Sequence, residues 1–366
     1  MGRTGEVVFV TEICVAIIGV GSIAKLAHLP NYAKADQVHV VGFVDTDLER
    51  ARAVAASYAA EHHAPEPVVA DTLVGLMAQT HVDAVSICTA NASHAALAME
   101  ALEAGLHVLL EKPMTVSLDQ AHRLRKVAAA SGRVCMIGMS HRFRQDVEVL
   151  RRFIEAGELG EIYYAKTRIL RRRGTPAGWF TDAEHSGGGP LMDIGVHALD
   201  LAWWLAGTPP IRTVSGMLCK AIGRDAIDFF PRWESSASHN ADNAIYSTED
   251  FASAFLRFEG GLAMQLEVSW SLNGPEDDAL KLDLFGSRGG ISLDPLQFYH
   301  TSHRVLAAQS LSVPMGDLYH REIEHFLSCI RTGETPVCDV VQGEAVVEML
   351  EMIAHSSAVG REVAAH

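Results

Sequence analysis

No two cysteines in this 366-residue chain are spaced C-x-x-C, and the six present, Cys14, Cys88, Cys135, Cys219, Cys329 and Cys338, lie far apart. That distribution suits neither a zinc ribbon nor a disulfide framework, and free thiols in a reducing, cytoplasmic compartment are expected. No apolar run reaches the length that a membrane-spanning helix needs. The early apolar stretch is interrupted by Thr11 and Glu12 and followed by no A-x-A-like cleavage site, so it fits a first strand better than a signal peptide. Basic residues are short as well: 30 Lys and Arg against 45 Asp and Glu leave a net charge of −15. So anionic a surface repels phosphate backbones and anionic lipid, which argues against nucleic acid and membrane as partners. Tandem repeats and low-complexity tracts are also absent.

What is present is enough apolar sequence, 48% of residues, to build sizeable cores, over a length that suggests two domains. The first part alternates strand and helix patterns. "ICVAIIG" (13–19), "VHVVGFVD" (38–45), "VDAVSICTA" (82–90) and "HVLLEKP" (107–113) are continuously apolar, as strands buried on both faces are, and "RVCMIGM" (133–139) extends the series. Helical segments such as "HAALAMEALEAG" separate them, predicting an α/β doubly wound parallel sheet of the Rossmann type. Beyond residue 140 the runs 251–258, 262–270 and 279–285 alternate apolar with polar and are divided by turn signals, predicting a large, open, mostly antiparallel sheet in a C-terminal α+β domain. The expected organisation is an N-terminal extension (1–12), a dinucleotide-binding domain (13–137) and a substrate-binding and oligomerisation domain (138–366), with a long loop over 224–244.

"GVGSIA" places Gly19, Gly21 and Ala24 in the G-x-G-x-x-G/A pattern directly after a strand and opening a helix, with Ser22 and Ile23 in its first turn. Gly19 is expected to make the tight turn, Gly21 to let the backbone approach a pyrophosphate, and Ala24 to let helix pack on sheet. The second strand ends in Asp45, at the separation expected for the residue that bonds the ribose hydroxyls. An acidic group there repels the extra phosphate of NADP, so NAD is the expected cofactor and NADP the less favoured one. Ligands of such sheets sit beyond the carboxyl ends of the strands, where Thr89, Asn91, His94, Glu111 and Lys112 fall. Lys112 is either a partly desolvated ammonium that helps a hydroxyl lose its proton or a solvated loop lysine. His94 equally suits the start of the following helix.

The motifs "GVGSIA", "CTANASH", "HVLLEKP", "GGGPLMDIGVHALD" and "GSRGG", in this order and spacing, resemble those of the Gfo/Idh/MocA family of glucose–fructose oxidoreductase and inositol dehydrogenase relatives, over nearly the whole chain. The resemblance implies NAD(P)-dependent oxidation of one secondary alcohol of a sugar or cyclic polyol, and a C-terminal sheet used in homodimer or homotetramer contacts. It implies that Lys112 contacts the reacting hydroxyl, that Asp193 and His197 form an acid/base pair with the histidine accepting the proton, and that the Lys112–Pro113 peptide is cis. Two positions depart from the pattern: Ala90 stands where proline is frequent, and His141, before "RF", where asparagine is frequent. The second bears on the substrate pocket.

On a regular helix Asp193, His197 and Asp200 share one face, opposite Leu191, Ile194, Ala198, Leu201 and Leu205. A metal site there lacks further ligands at suitable spacing, so no metal is expected. The helix alone favours a structural reading; the nucleotide fold and Lys112 turn the balance to acid/base chemistry, with Asp193 orienting His197. Substrate candidates are His141, Arg142, Arg171 and Trp179. Arg171 either grips an anionic group of a sugar or lies on a solvated strand face, and Trp179 either stacks on a sugar ring or packs in the core. Besides a dehydrogenase, the same residues admit a glycosidase that recycles its NAD in each turnover, or a cofactor-sensing regulator without catalysis.

Overall fold

Two sheets carry the molecule. A computed structural model describes residues 12–223, 245–275, 277 and 279–365. The expected extension, apart from Glu12, and the expected loop over 224–244 lie outside these residues.

The first sheet is formed by β1 (Ile13–Ile18), β2 (Val38–Val44), β3 (Val68–Ala70), β4 (Ala84–Ile87), β5 (His107–Glu111) and β6 (Cys135–Gly138). Its order is β3-β2-β1-β4-β5-β6 with every pairing parallel. The continuous apolarity of β1 has a direct cause: Ile13, Val15 and Ile17 enter one core, while Ala16 and Ile18 enter another on the opposite face. Three-residue β3 is too short to stand out as an apolar run.

The second sheet has nine strands in the order β14-β13-β12-β11-β7-β10-β9-β8-β15. These are β7 (Ile162–Leu170), β8 (Ile211–Cys219), β9 (Phe251–Phe258), β10 (Ala263–Ser269) and β11 (Lys281–Gly286). The remainder are β12 (Gly289–Leu293), β13 (Leu296–Ser302), β14 (Val305–Ser310) and β15 (Val363–Ala364). Only β7 and β10 pair in parallel. Alternation along β9 and β10 buries Ala252, Ala254, Leu256, Met264, Leu266 and Val268, so one face is covered. Helices Val196–Leu205 and Val340–Val359 contribute to that cover.

After β14 the chain returns to the first sheet. Helix Leu318–Thr332 lays Ile323, Phe326 and Leu327 into the core that holds Ile13, Val15 and Ile17. No linker in the sequence marks this re-entry. The same helix buries Glu322 to 1% exposure, with its Oε1 unpartnered. Burial, and then the nearby carboxylate of Glu111, push this carboxyl well above the ordinary 4.5, so the folded protein holds its proton more tightly than the unfolded chain does. The unfolded state then binds fewer protons, and this residue's contribution to stability falls as pH rises above 4.5. Glu322→Gln is expected to remove this dependence, so that the thermal midpoint of the parent falls relative to that of the variant as pH rises above 4.5; parallel curves for the two proteins would contradict this.

Candidate active site

The nucleotide loop is built around Gly19. Its φ is +85°, and a Cβ there would lie 2.8 Å from Thr89 Cγ2 and 2.9 Å from the Cys88 carbonyl oxygen, so only glycine fits. The turn delivers the chain through Gly21 into a helix that begins at Ser22 and Ile23, with Ala24 fully buried against the sheet and Ile23 packed on the same core. Asp45 closes the loop from below. Its Oδ2 accepts the Val20 N–H at 3.0 Å, and its Oδ1 accepts the Asp47 N–H at 2.9 Å and Arg50 Nη2 at 2.6 Å. A helix N-terminus, a backbone that approaches closely and a fixed carboxylate at the strand end suit a dinucleotide.

The residues beyond β4 and β5 mostly bind one another. Thr89 Oγ1 accepts from Ser93 at 2.7 Å, and Asn91 Nδ2 donates to the Ser186 carbonyl at 2.8 Å. His94 is fully buried at the start of helix His94–Glu103, its ring nitrogens 2.8 Å from the Pro113 oxygen and 3.1 Å from the Thr89 oxygen. It braces the two loops and presents no nitrogen to a ligand. Burial works to raise the Glu111 carboxyl, but its 2.9 Å bond to His28, the charge of that ring and Lys112 carry it below the usual carboxylate range. The Lys112–Pro113 peptide is cis.

Lys112 leaves this edge and crosses to the second half of the chain. Its Nζ donates to the Asp193 carbonyl at 2.9 Å and to Asp193 Oδ1 at 3.3 Å, while Trp270 Nε1 donates to Asp193 Oδ2 at 3.0 Å. Asp193 therefore holds the lysine, and its described hydrogen bonds run to Lys112 and Trp270. A π-type turn runs over Leu191–Gly195 and leads into helix Val196–Leu205, so Asp193 and His197 do not lie on one regular helix. His197 instead meets His141 edge to face, with ring centroids 4.6 Å apart. Nδ1 of each ring is enclosed without a hydrogen-bond partner. Burial, followed by the positive charge of Lys112, the His141 ring and Arg171, drives His197 well below its ordinary value. Burial, Arg144 and Lys112 lower His141 to about 3.

The glycine run before this helix answers to Glu249. A Cβ at Gly189 would collide with the Glu249 carbonyl oxygen, and one at Gly187 would lie 2.7 Å from Val116 Cγ1. The Glu249 carboxylate accepts the N–H groups of Gly189 at 2.9 Å and Leu191 at 3.1 Å, capping the helix that carries Asp193 and His197. Glu249, Trp270 and His28 escape sequence reasoning, since none stands in a motif and only the tertiary fold brings them to the site.

Of the substrate candidates, Arg142 is displaced. Its side chain is fully buried, forked onto Asp200 at 2.6 and 2.9 Å, and also donates to the Val337 carbonyl and to Gln342. It ties segments of the C-terminal half together and does not reach a ligand, and Asp200 is spent in the same pair. His141 stands beside His197, and the charge of Arg171 is felt there. Trp179 stacks on Phe180, ring centroids 4.1 Å apart, and remains half-buried.

Residues 13–139 match the family model described as an oxidoreductase family with an NAD-binding Rossmann fold, and residues 147–292 match a GFO/IDH/MocA C-terminal domain. The chain is 31% identical to D-glucoside 3-dehydrogenase of Escherichia coli over 353 residues, covering 95% of this chain and 96% of that one. It is 28% identical to the NAD(+)-dependent scyllo-inositol 2-dehydrogenase of Bacillus subtilis over 70% of both chains. Among solved structures, levoglucosan dehydrogenase in complex with NADH shares the fold at a TM-score of 0.81 and 20% identity, over 96% of this chain and 99% of that one. None of the described helices is long and apolar enough to cross a membrane.

Proposed function

The chain belongs to the Gfo/Idh/MocA oxidoreductase family, with an NAD-binding Rossmann domain, and from that premise we propose that it oxidises a secondary hydroxyl of a sugar, sugar derivative or cyclic polyol to a ketone, reversibly, with NAD. The observation that carries this reading is the contact of Lys112 Nζ with Asp193, beside the paired rings of His141 and His197, at the carboxyl edge of the first sheet. Bound there, NAD supplies the hydride acceptor. The loop at Gly19 and Gly21, Ser22, Ile23, Ala24 and Asp45 would hold it, with Thr89, Asn91, His94 and Glu111 shaping the wall. Lys112, Asp193 and His197 would receive the carbinol, and Lys112 would stabilise the developing alkoxide. His141, Arg171 and Trp179 are the substrate contacts that the geometry leaves in play. The D-glucoside and scyllo-inositol dehydrogenases among its relatives support a polyhydroxylated ring as substrate. Six unpaired cysteines support a cytoplasmic setting. The uncovered face of the second sheet, where Met217 and Phe285 are exposed, supports a homo-oligomer.

The test is to incubate the protein with NAD and a panel of inositols, hexoses, glycosides, anhydrosugars and sugar phosphates while following NADH absorbance. Stoichiometric NADH from one of them is expected. Aglycone release without net NADH would replace the dehydrogenase by a glycosidase, and silence across the panel would sink both. We place the preference for NAD over NADP on Asp45. Asp45→Ser removes the charge that repels a 2′-phosphate and takes away one partner of Arg50, a guanidinium suited to phosphate. The kcat/KM ratio of NADP to NAD is expected to rise by at least about tenfold; an unchanged ratio would locate selectivity elsewhere.

A further inference from the structure

We propose that the cleft between helices Gln145–Glu155, Val196–Leu205 and Leu318–Thr332 is a binding site for an organic phosphate. It holds about 370 Å³, which lies within the range of small-molecule sites and exceeds what a bare phosphate fills. Neither the nucleotide loop nor Lys112, Asp193 or His197 lines it, so the proposal does not depend on the reaction read from those residues.

The wall of the cleft is rich in cations on a chain whose net charge is −15. Arg142 is already neutralised by Asp200, which leaves three guanidinium groups, those of Arg151, Arg152 and Arg321, against two carboxylates, Glu148 and Glu155. Glu148 is fully engaged, one oxygen accepting from Arg152 and the other from Arg321. Several donors are left over. Among the described residues Arg151 makes a hydrogen bond only through Nε, to Glu155 at 2.6 Å, and Arg152 only through Nη2. The indole N–H of Trp203 goes to the Pro209 carbonyl, whereas that of Trp204, which lines the cleft, has no described acceptor. His325 accepts the Val337 N–H on Nε2 at 2.9 Å, so the hydrogen of its neutral ring sits on Nδ1.

Donors without acceptors in a cationic cleft select an anion, and their number selects its class. A carboxylate offers two oxygens in a plane, whereas a phosphate ester offers three strong acceptors at close to two negative charges, matched by guanidinium forks. The fork of Arg151 is held in advance: its central carbon lies 5.2 Å from the centroid of the Trp204 ring, as does that of Arg142. Both side chains of the Arg151–Glu155 pair are exposed, and exposed pairs contribute little, so a phosphate displaces Glu155 at small cost. The remaining space beside Trp204, Phe143 and Val337 takes the organic part.

Isothermal titration of the full chain tests this, in saturating NADH so that the nucleotide loop is filled. Glucose 6-phosphate is expected to bind with a Kd of about 1 mM or below, and glucose, inorganic phosphate and citrate at least about threefold more weakly. Arg151→Gln should raise the Kd for glucose 6-phosphate at least about tenfold, and Glu155→Gln, by removing the competing carboxylate, should lower it about threefold. Lys126→Gln makes the same charge change as Arg151→Gln at an exposed position of helix Leu118–Ser131, and should leave the Kd within about twofold of the parent's. Thermal midpoints near the parent's confirm that each variant is folded. Absence of saturable binding, a Kd that Arg151→Gln leaves unchanged, or equal weakening by Arg151→Gln and Lys126→Gln overturns the site. Glucose, inorganic phosphate or citrate binding as tightly as the ester would overturn the assignment to an organic phosphate.

Discussion

Lys112→Met lowers kcat by about 10³-fold or more in the expected result, with NADH affinity and thermal midpoint close to those of the parent. The lysine joins the two halves of the site through 2.9 and 3.3 Å bonds to Asp193. Methionine keeps much of the side-chain volume, so backbone and cofactor loop should be undisturbed. What disappears is the charge that would stabilise an alkoxide. Asp193 keeps its bond from Trp270 and so stays in place. Lys112→Arg should also be impaired, because a planar guanidinium does not replace a compact ammonium in this geometry. Steady-state rates with the best panel substrate decide the matter; full turnover by the methionine variant would remove Lys112 from the chemistry.

The second large effect is on stability. Arg142→Met is expected to cost about 3–5 kcal/mol, because it leaves the Asp200 carboxylate buried without a counter-ion. Both side chains are almost wholly enclosed, at 0% and 2% exposure, and the arginine also satisfies the Val337 carbonyl. Adding Asp200→Leu to Arg142→Met removes the uncompensated charge and should recover a large part of the loss. Thermal midpoints of the parent and the two variants measure this. A single variant as stable as the parent would mean that the pair contributes nothing, and a double variant no better than the single would mean that the cost lies in packing.

These two arginine and lysine sites also separate what could be read from residues alone. The strands β1, β2, β4, β5 and β6 were legible because a parallel sheet buried on both faces demands continuous apolar runs. Among the C-terminal strands, β9, β10 and β11 were legible for the opposite reason, since a sheet covered on one face alternates. Gly19 and Asp45 could be placed because a strand, a tight turn and a helix fix their spacing locally. Arg142 could not: its partners Asp200, Val337 and Gln342 are 58, 195 and 200 residues away, and nothing in "SHRF" distinguishes a buried clasp from a substrate contact.

By itself the sequence determined the two kinds of sheet, the nucleotide loop and the polar residues gathered at the strand ends, because each follows from local periodicity or short-range steric need. Only the tertiary structure decided the partners of those polar residues. A π-type turn and a tryptophan 77 positions downstream gave Asp193 to Lys112 and left His197 facing His141. The physical reason is that a helix phase can be shifted by a single wide turn, and that a hydrogen bond between distant segments leaves no periodic trace in either of them.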